Sequence, residues 1–459
     1  MNFFRCLSVW KTQGGNPLLH KVNGLKRKAQ IGLVALVSLA FSACQEELTT
    51  SLEGDLIPVG ALTVEVSLPF QEIGGEVVGW GGYGRPYQLP LDILARAFEG
   101  SLDARILNGW NPYPVSASVR DSTGSVRTDT LLTFVGGRIT AAFDTLTSVV
   151  DGPVTLSIGA LPMSWDVVST AWDVAVDSVG DRQLWEEEGA GPVIPMGTAV
   201  WDPAEGDSVV FEIDSAAVAL WADTANAEMG MRLDAVTEGV RLDLSRLSYL
   251  LSTRPSSHQD TLVDLTVAAK TRTFIYQPVP GAPAGEIRVG GVPAWRAVFD
   301  LNMPETLDGP PELCQQVQCP VVLTAESLIS ASLVLTTQAP PPAFQPTESL
   351  YLDVRPVLEP SRLPKSPLGS SLVGSLGVEL PPEYFGEAAG TEVEIPLGAY
   401  IESLVAENSN PDLEVPHTLA LLSSFEPLSL YFAAFEGPDS PAGPELRLIL
   451  TFAEDVRIR

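Results

Sequence analysis

Hydrophobic and polar residues alternate over short stretches along most of the chain beyond residue 60. Residues 62–68 read Leu-Thr-Val-Glu-Val-Ser-Leu, with an apolar side chain at every second position. Because successive side chains of a strand point to opposite faces of a sheet, this pattern predicts a strand with one buried face. Comparable runs predict further strands at residues 116–119, 139–143, 154–158, 209–213, 240–244, 262–267, 296–299, 332–336, 350–354, 392–397, 428–432 and 446–452.

Helical periodicity is confined to three short stretches, residues 93–98, 216–221 and 399–407. The intervening segments are rich in turn-forming residues, and the chain contains 39 Gly and 38 Pro. No long helical pattern separates successive strands, so parallel strands joined by helices are not expected. The sequence therefore predicts an all-β protein built from antiparallel, jelly-roll-like β-sandwiches.

Two short patterns recur in the two halves of the chain. Val-Gly-Gly occurs at residues 135–137 and again at 289–291, and a strand followed by a short helix is predicted in 209–221 and in 393–404. Repetition of one unit predicts two tandem sandwiches, while chance similarity of short matches is the alternative. The predicted division near residues 252–259 gives a first sandwich at 61–251 and a second at 252–459.

The N-terminal segment carries the pattern of an export signal. Residues 31–43 contain no charged residue and follow four basic residues at positions 21–28. Thirteen helical residues at 1.5 Å each are too short for a hydrocarbon core of about 30 Å, so a permanent transmembrane span is not expected. Residues 1–43 are therefore interpreted as a signal peptide.

The end of that segment, Phe41-Ser42-Ala43-Cys44, resembles the bacterial lipobox. The resemblance implies that Cys44 is diacylated and becomes the mature N-terminus, although an ordinary signal peptide cut near Ala43 is the alternative. Gln45 after the cysteine implies sorting to an outer membrane. These features predict a lipid-anchored protein of the cell envelope, facing the periplasm or the exterior, with the polar residues 44–60 as a tether.

The charge of the mature chain narrows the range of partners. Without residues 1–43 it has 21 basic and 57 acidic residues, a formal charge of −36. Such a surface repels phosphate backbones and anionic lipid headgroups, so nucleic acid is not an expected partner. Attachment to the membrane would have to come from the lipid anchor.

Cys314 and Cys319 form a C-x4-C pattern followed by Pro320. In an exported chain this spacing predicts a disulfide across the tip of a hairpin. A metal site would require further ligands, and no His or additional Cys lies near the pair.

One Gly- and Pro-rich stretch is unusually rich in aromatic residues. Sugar-binding proteins stack pyranose faces on flat aromatic rings, because stacking removes apolar area of both surfaces from water. The stretch is therefore a candidate ligand face, and the alternative is that its rings plug one end of a sandwich. The residues of this candidate face are Trp80, Tyr83, Tyr87, Trp110 and Tyr113.

Two tryptophans seven positions apart, Trp165 and Trp172, frame the sequence W-D-V-V-S-T-A-W. This sequence resembles the signature of DNRLRE-type domains, and residues 209–214 with Trp221 resemble a later segment of the same family. The resemblance covers residues 165–233 and implies an extracellular β-sandwich. Positions seven apart on a strand face opposite sides, so the residues themselves predict a bend between the two rings, either with one ring exposed or with both rings in the core.

No catalytic motif occurs in the sequence, which contains neither H-E-x-x-H nor G-x-S-x-G. Asp173, Asp177 and Asp181 form a candidate structural calcium site, and no other cofactor is expected. The sequence favours a non-catalytic surface lipoprotein with a structural or glycan-associated role, whose partners are a polysaccharide or an envelope protein. The alternatives are a surface glycoside hydrolase or polysaccharide lyase, or a subunit of a larger envelope assembly.

Overall fold

The structure is a computed structural model that describes residues 61–453 except 75, 121–122, 280–284, 293, 310, 316, 318, 411 and 427–428. Thr63–Phe452 is one compact unit, and the description below concerns that unit. The predicted signal peptide, the tether and Cys44 lie outside the described residues. Among the described residues, no helix is long and apolar enough to cross a membrane.

The described chain is mostly β-structure, which confirms the all-β prediction. Its strands, in chain order, are β1 (Ala61–Pro69), β2 (Val78–Trp80), β3 (Asp92–Phe98), β4 (Leu102–Trp110), β5 (Ala117–Arg120), β6 (Val126–Asp129), β7 (Leu132–Phe143), β8 (Val154–Ala160), β9 (Val174–Ser178), β10 (Asp181–Leu184), β11 (Ile194–Trp201), β12 (Ser208–Ile213), β13 (Met231–Ala235), β14 (Val240–Pro255), β15 (Val263–Val267), β16 (Ala269–Tyr276), β17 (Glu286–Gly290), β18 (Arg296–Asp300), β19 (Thr306–Leu307), β20 (Val321–Val322), β21 (Leu328–Gln338), β22 (Leu350–Pro356), β23 (Val378–Leu380), β24 (Glu392–Pro396), β25 (Thr418–Ser423), β26 (Phe432–Glu436) and β27 (Glu445–Ala453). The helices are α1 (Phe70–Ile73), α2 (Ser215–Trp221), α3 (Thr224–Met229), α4 (Pro311–Cys314) and α5 (Gly398–Ser409).

The first large sheet has ten strands. Their order is β11-β8-β13-β4-β3-β14-β7-β12, with β15 beside β14 and β16 beside β4. The outermost strands β11 and β12 contact each other, so the sheet nearly closes on itself. Closure of this kind removes exposed sheet edges. Its interior is filled by large rings, including Trp110, Trp201, Trp221, Phe211 and Tyr249, which are all buried.

A second core lies between two smaller sheets. One has the order β1-β27-β21-β26-β17 with β24 beside β21, and the other has the order β2-β18-β25-β22-β23. Apolar side chains from both sheets meet in a single cluster, which makes this part a sandwich. Helix α5 covers the cluster with Tyr400, Ile401, Leu404 and Val405, which lie on one helical face.

The sheets cross the predicted division of the chain near residues 252–259. Strand β14 continues to Pro255, and β15 and β16, which follow it, both belong to the ten-stranded sheet. In the opposite direction, β1 and β2 from the start of the chain pair with β27 and β18. Each core is therefore completed by strands that are distant in sequence.

The two Val-Gly-Gly segments have different structural roles. In β7, a Cβ at Gly137 would come within 2.8 Å of the Tyr249 ring on the neighbouring β14. Gly290, the last residue of β17, and Gly291, in the turn that follows, instead have φ of 87° and 72°, where residues with a side chain are strained. The strand-then-helix pattern does recur, as β12 with α2 and as β24 with α5.

Most of the predicted elements overlap an observed one of the same type, with two differences. Residues 93–98, predicted to be helical, form β3, which lies between β4 and β14 with Ile93, Leu94 and Ala95 buried. Pairing on both sides outweighs the helix propensity of its Leu, Ala and Arg residues. The strand predicted at 428–432 is shifted, because β26 begins at Phe432.

The predicted disulfide is confirmed. Cys314 and Cys319 are bonded, with their Cα atoms 5.3 Å apart. They lie in the connection between β19 and β20, which pair antiparallel through Thr306–Val322 and Leu307–Val321. The bond therefore closes the tip of a hairpin, as the spacing predicts.

Trp165 and Trp172 belong to a small cluster beside the ten-stranded sheet. A turn at residues 167–169 separates them. The Trp165 indole N–H donates to the Met229 carbonyl at 2.9 Å, and the Trp172 ring is buried beneath the Arg105 guanidinium, 4.7 Å from the ring centroid. Both rings pack with Trp185 and Leu161, so they hold this segment against the sheet.

Asp129 fastens the turn that follows β14. Its carboxylate accepts hydrogen bonds from the Leu131 and Ser257 amides, both at 2.8 Å, and from the Ser257 and Ser256 hydroxyls at 2.7 and 3.1 Å. These donors, first among them the Ser257 hydroxyl, stabilise the ionised form and hold the pKa of Asp129 well below its usual value.

This depressed pKa predicts a dependence of stability on acid. The contribution of Asp129 is present above its unfolded-state pKa of about 3.9 and is lost as the pH falls towards the folded-state value. We expect Asp129→Asn to lower the melting temperature at pH 7 and to reduce the difference in melting temperature between pH 5 and pH 2.5. The exposed Asp260, in the turn after β14, provides the control Asp260→Asn. Parallel pH profiles for wild type and Asp129→Asn would contradict the assignment.

Candidate functional site

The structure separates the five residues of the predicted ligand face. Trp80 lies on β2, opposite Arg296 of β18, and Tyr83 packs against the same arginine. Tyr87 is 40% exposed and lies in a short 3-10 helix, Pro86–Gln88. Trp110 and Tyr113 belong to the first core.

Trp110 is wrongly predicted as a ligand residue, because its side chain has no exposed surface. Its ring packs between Trp221 and Tyr249, at centroid distances of 6.4 and 5.3 Å. Tyr113 is half-buried, and its hydroxyl lies 2.9 Å from the Tyr249 hydroxyl and donates to the Val218 carbonyl at 3.0 Å. For these two residues the alternative interpretation holds, since both rings help to fill the interior of the sheet.

Tyr83 leads instead to a different site. The Arg296 guanidinium lies 3.8 Å from the centroid of the Tyr83 ring and donates to the Glu426 carboxylate through Nε at 3.0 Å and Nη2 at 2.8 Å. The Tyr83 hydroxyl donates to the Pro364 carbonyl at 2.6 Å, which fixes the ring beneath the arginine. Glu426 is thereby held at the wall of a cleft, which we call the Tyr431 cleft.

The Tyr431 cleft has a volume of about 590 Å³ and lies where the ten-stranded sheet meets the sandwich. Apolar residues Leu89–Leu91 form one rim. Residues from β14 form one wall, and residues 425–426 and 429–431, which follow β25, form the other. Its volume is within the range of about 300–1,000 Å³ that is usual for small-molecule sites.

The wall from β14 presents a charged pair. An Arg241 Nη2 lies 3.5 Å from Oδ1 of Asp243, which is almost completely buried. The loop after β7 holds these residues in place, because Val149 and Arg241 exchange two backbone hydrogen bonds and the Ser148 hydroxyl accepts from the Asp243 amide. Arg241 also donates to the Tyr431 hydroxyl across the cleft.

Three aromatic rings line the opposite wall. Tyr351 and Phe425 pack edge to face with centroids 5.3 Å apart, and Phe425 is 44% exposed. Tyr431 lies beside the Arg241 guanidinium at 5.5 Å. The cleft therefore offers flat apolar surface next to two arginine–carboxylate pairs, Arg241 with Asp243 and Arg296 with Glu426.

Burial changes the acidity of one group in the cleft. Removal from water raises the pKa of Glu426, and the hydrogen bond and positive charge of Arg296 oppose that increase. One oxygen of Glu426 and one of Asp243 are buried without a hydrogen-bond partner, and so is Nε of Arg241. Three side-chain atoms of residues that line one cleft thus lack a hydrogen-bond partner, and all three atoms are themselves buried.

Sequence reasoning did not identify most of these residues. Tyr83 and the rim residues 89–91 fall within the aromatic stretch singled out from the sequence, but Arg241, Asp243, Tyr351, Glu426 and Tyr431 do not. Arg241 and Tyr431, for example, are hydrogen-bonded although they are 190 positions apart in the sequence. No local spacing in the sequence records that they share a site.

The candidate calcium residues lie elsewhere. Asp173, Asp177 and Asp181 lie along the β9–β10 hairpin, where Asp173 is 3.9 Å from Arg182. Within the part of the chain that the structure describes, no group of three or more His, Cys, Asp or Glu side chains is arranged to hold a metal ion.

Comparison with known proteins found no family model and no curated protein that matches this chain. The resemblance of residues 165–233 to DNRLRE-type domains therefore stays a prediction.

The burial of Trp110 predicts a structural effect of its removal. We expect Trp110→Ala to lower the free energy of unfolding by about 3–5 kcal/mol, because it removes a large buried ring and leaves a cavity. Urea denaturation measures this difference. The matched control is Tyr87→Ala at an exposed ring, which should stay within about 0.5 kcal/mol of wild type. An unchanged stability for Trp110→Ala would contradict the core assignment.

Proposed function

We propose that this protein is a non-catalytic lipoprotein of the bacterial cell envelope that binds glycans in the Tyr431 cleft. The observation that carries the proposal is the combination of Tyr351, Phe425 and Tyr431 with two arginine–carboxylate pairs around one cleft.

The chemistry of a sugar matches these walls. A pyranose ring has faces rich in C–H groups and an edge of hydroxyls, so it buries apolar area on an aromatic ring while its hydroxyls form hydrogen bonds. Exposed Phe425 offers the apolar surface, and Arg241, Asp243 and Glu426 offer donors and acceptors nearby. The all-β framework supports such a role by holding Arg241, Asp243 and Tyr351 on strands.

The envelope location rests on the sequence. An uncharged segment at residues 31–43, basic residues before it and Cys44 after it support export and acylation. The disulfide between Cys314 and Cys319 is consistent with an oxidising compartment.

A second candidate function is glycan cleavage by a surface glycoside hydrolase or lyase. It is favoured by the presence of two carboxylates, Asp243 and Glu426, on the walls of one cleft, and by the raised pKa of Glu426, which suits a general acid. Release of reducing ends or of unsaturated products from a glycan panel would establish this function in place of binding alone.

Ring truncation tests the binding proposal. We expect Tyr351→Ala and Phe425→Ala each to weaken retention of a bound glycan about tenfold, or about 1.4 kcal/mol, because each removes stacking surface. Affinity electrophoresis in gels containing soluble polysaccharides measures the change. Tyr87→Ala, which removes an exposed ring outside the cleft, should behave as wild type, and equal retention of all three variants would remove the cleft from the proposal.

Replacement of Cys44 tests the proposed lipid anchor. Acyl chains bury methylene groups at about 0.8 kcal/mol each, so two or more chains give stable membrane attachment. We expect Cys44→Ser to abolish incorporation of labelled palmitate and to release the protein from the membrane fraction. Cys6→Ser, in the same export segment, should change neither result. Palmitate labelling of Cys44→Ser would contradict the assignment.

A further inference from the structure

The charges of the Tyr431 cleft indicate which glycans it accepts, provided that it binds glycans as proposed. Among the described residues that line the cleft, the only cation is Arg241, and three carboxylates accompany it: Asp243, Glu348 and Glu426. Arg241 is already paired with Asp243 and bonded to Tyr431. Arg296 neutralises Glu426 from behind, which leaves the exposed Glu348 without a compensating charge among the contacts that the structure records.

This balance disfavours anionic ligands. Carboxylate, sulfate and phosphate groups are bound in proteins mainly by arginine or lysine side chains that are free to form paired hydrogen bonds. In the Tyr431 cleft both Nη atoms of Arg241 are already engaged, one by Tyr431 and one by Asp243, so no forked pair of donors is free, and carboxylates outnumber cations. A uronate in this cleft would therefore meet repulsion without a cation to offset it.

The unsatisfied atoms indicate what the cleft does accept. Asp243 Oδ1, which lies 3.5 Å from Arg241 Nη2 in an ion pair, and Glu426 Oε1 are buried acceptors without a hydrogen bond, and Arg241 Nε is a buried donor without one. The Asp243 and Glu426 side chains are only 1% and 9% exposed, so a missing partner is costly for each. A hydroxyl group is both donor and acceptor, and two adjacent hydroxyls can serve a carboxylate and a guanidinium at the same time.

We infer that the Tyr431 cleft selects neutral glycans with adjacent free hydroxyls, which Asp243, Glu426 and Arg241 recognise, and rejects their uronic acid counterparts. The aromatic rings bind any pyranose by stacking, whereas these polar groups determine which pyranoses bind tightly.

Matched ligand pairs test this selectivity in the full mature protein. Each neutral oligosaccharide of a panel of glucans, mannans and galactans is compared with its C6-oxidised uronate form by isothermal titration calorimetry at low salt. We expect at least tenfold tighter binding of the neutral form. Added salt should narrow the difference, because it screens the repulsion of the uronate.

Two kinds of variant separate repulsion from recognition. Glu348→Gln removes the exposed charge, so we expect a smaller neutral-to-uronate ratio with unchanged affinity for the neutral form. Glu426→Gln and Asp243→Asn alter buried acceptors, so each should lower affinity for the neutral form about tenfold. Glu212→Gln on β12, exposed and outside the cleft, is the control, and melting temperatures identify any variant that fails to fold.

The outcomes distinguish this inference from the proposed function. Equal or tighter binding of uronates, or tightest binding of a cationic amino-glycan such as chitosan oligomers, overturns the inference but leaves a glycan-binding cleft. No binding of any glycan overturns the proposed function and the inference together.

Discussion

The backbone pairing of β14 connects the core of this protein to its cleft. The strand is 16 residues long and pairs with β3 and β15 on one side and with β7 on the other. Its inward side chains are Leu242 and Leu244 and, beyond an irregularity between Leu244 and Arg246 that shifts the register, Tyr249 and Leu251, and they fill the interior of the ten-stranded sheet. Because side chains alternate along a strand, the same backbone presents Arg241 and Asp243 on the opposite side, where they line the cleft. The register that builds the core therefore also places the charged pair.

Two buried carboxylates near this strand, Asp129 and Asp243, differ in how many hydrogen bonds they receive. Asp129 receives four hydrogen bonds, which stabilise its charge and close the turn after β14. Asp243 is more deeply buried, yet its Oδ1 has no hydrogen bond and is matched only by the ion pair with Arg241 at 3.5 Å. A satisfied buried acid contributes to stability, whereas an unsatisfied one costs free energy that a ligand can recover. We therefore assign a structural role to Asp129 and propose a ligand-binding role for Asp243.

Local patterns in the sequence predicted much of the fold. Strict alternation identified strands such as β1 and β22, and the C-x4-C spacing identified the disulfide between β19 and β20. Residues 93–98 were predicted incorrectly, because their local preference for helix is outweighed by pairing with strands on both sides. Trp110 was misplaced for a related reason, since a tryptophan in a Gly- and Pro-rich stretch can face either solvent or a core formed by distant strands.

The sequence by itself determined the alternation of strands such as β1 and the pairing of Cys314 with Cys319, because both depend on residues that are close along the chain. Only the tertiary structure decided which strands share a sheet and which side chains meet in the Tyr431 cleft. Arg241, Tyr351 and Glu426 come from three distant segments, and their meeting depends on long-range pairing and packing that no local pattern encodes.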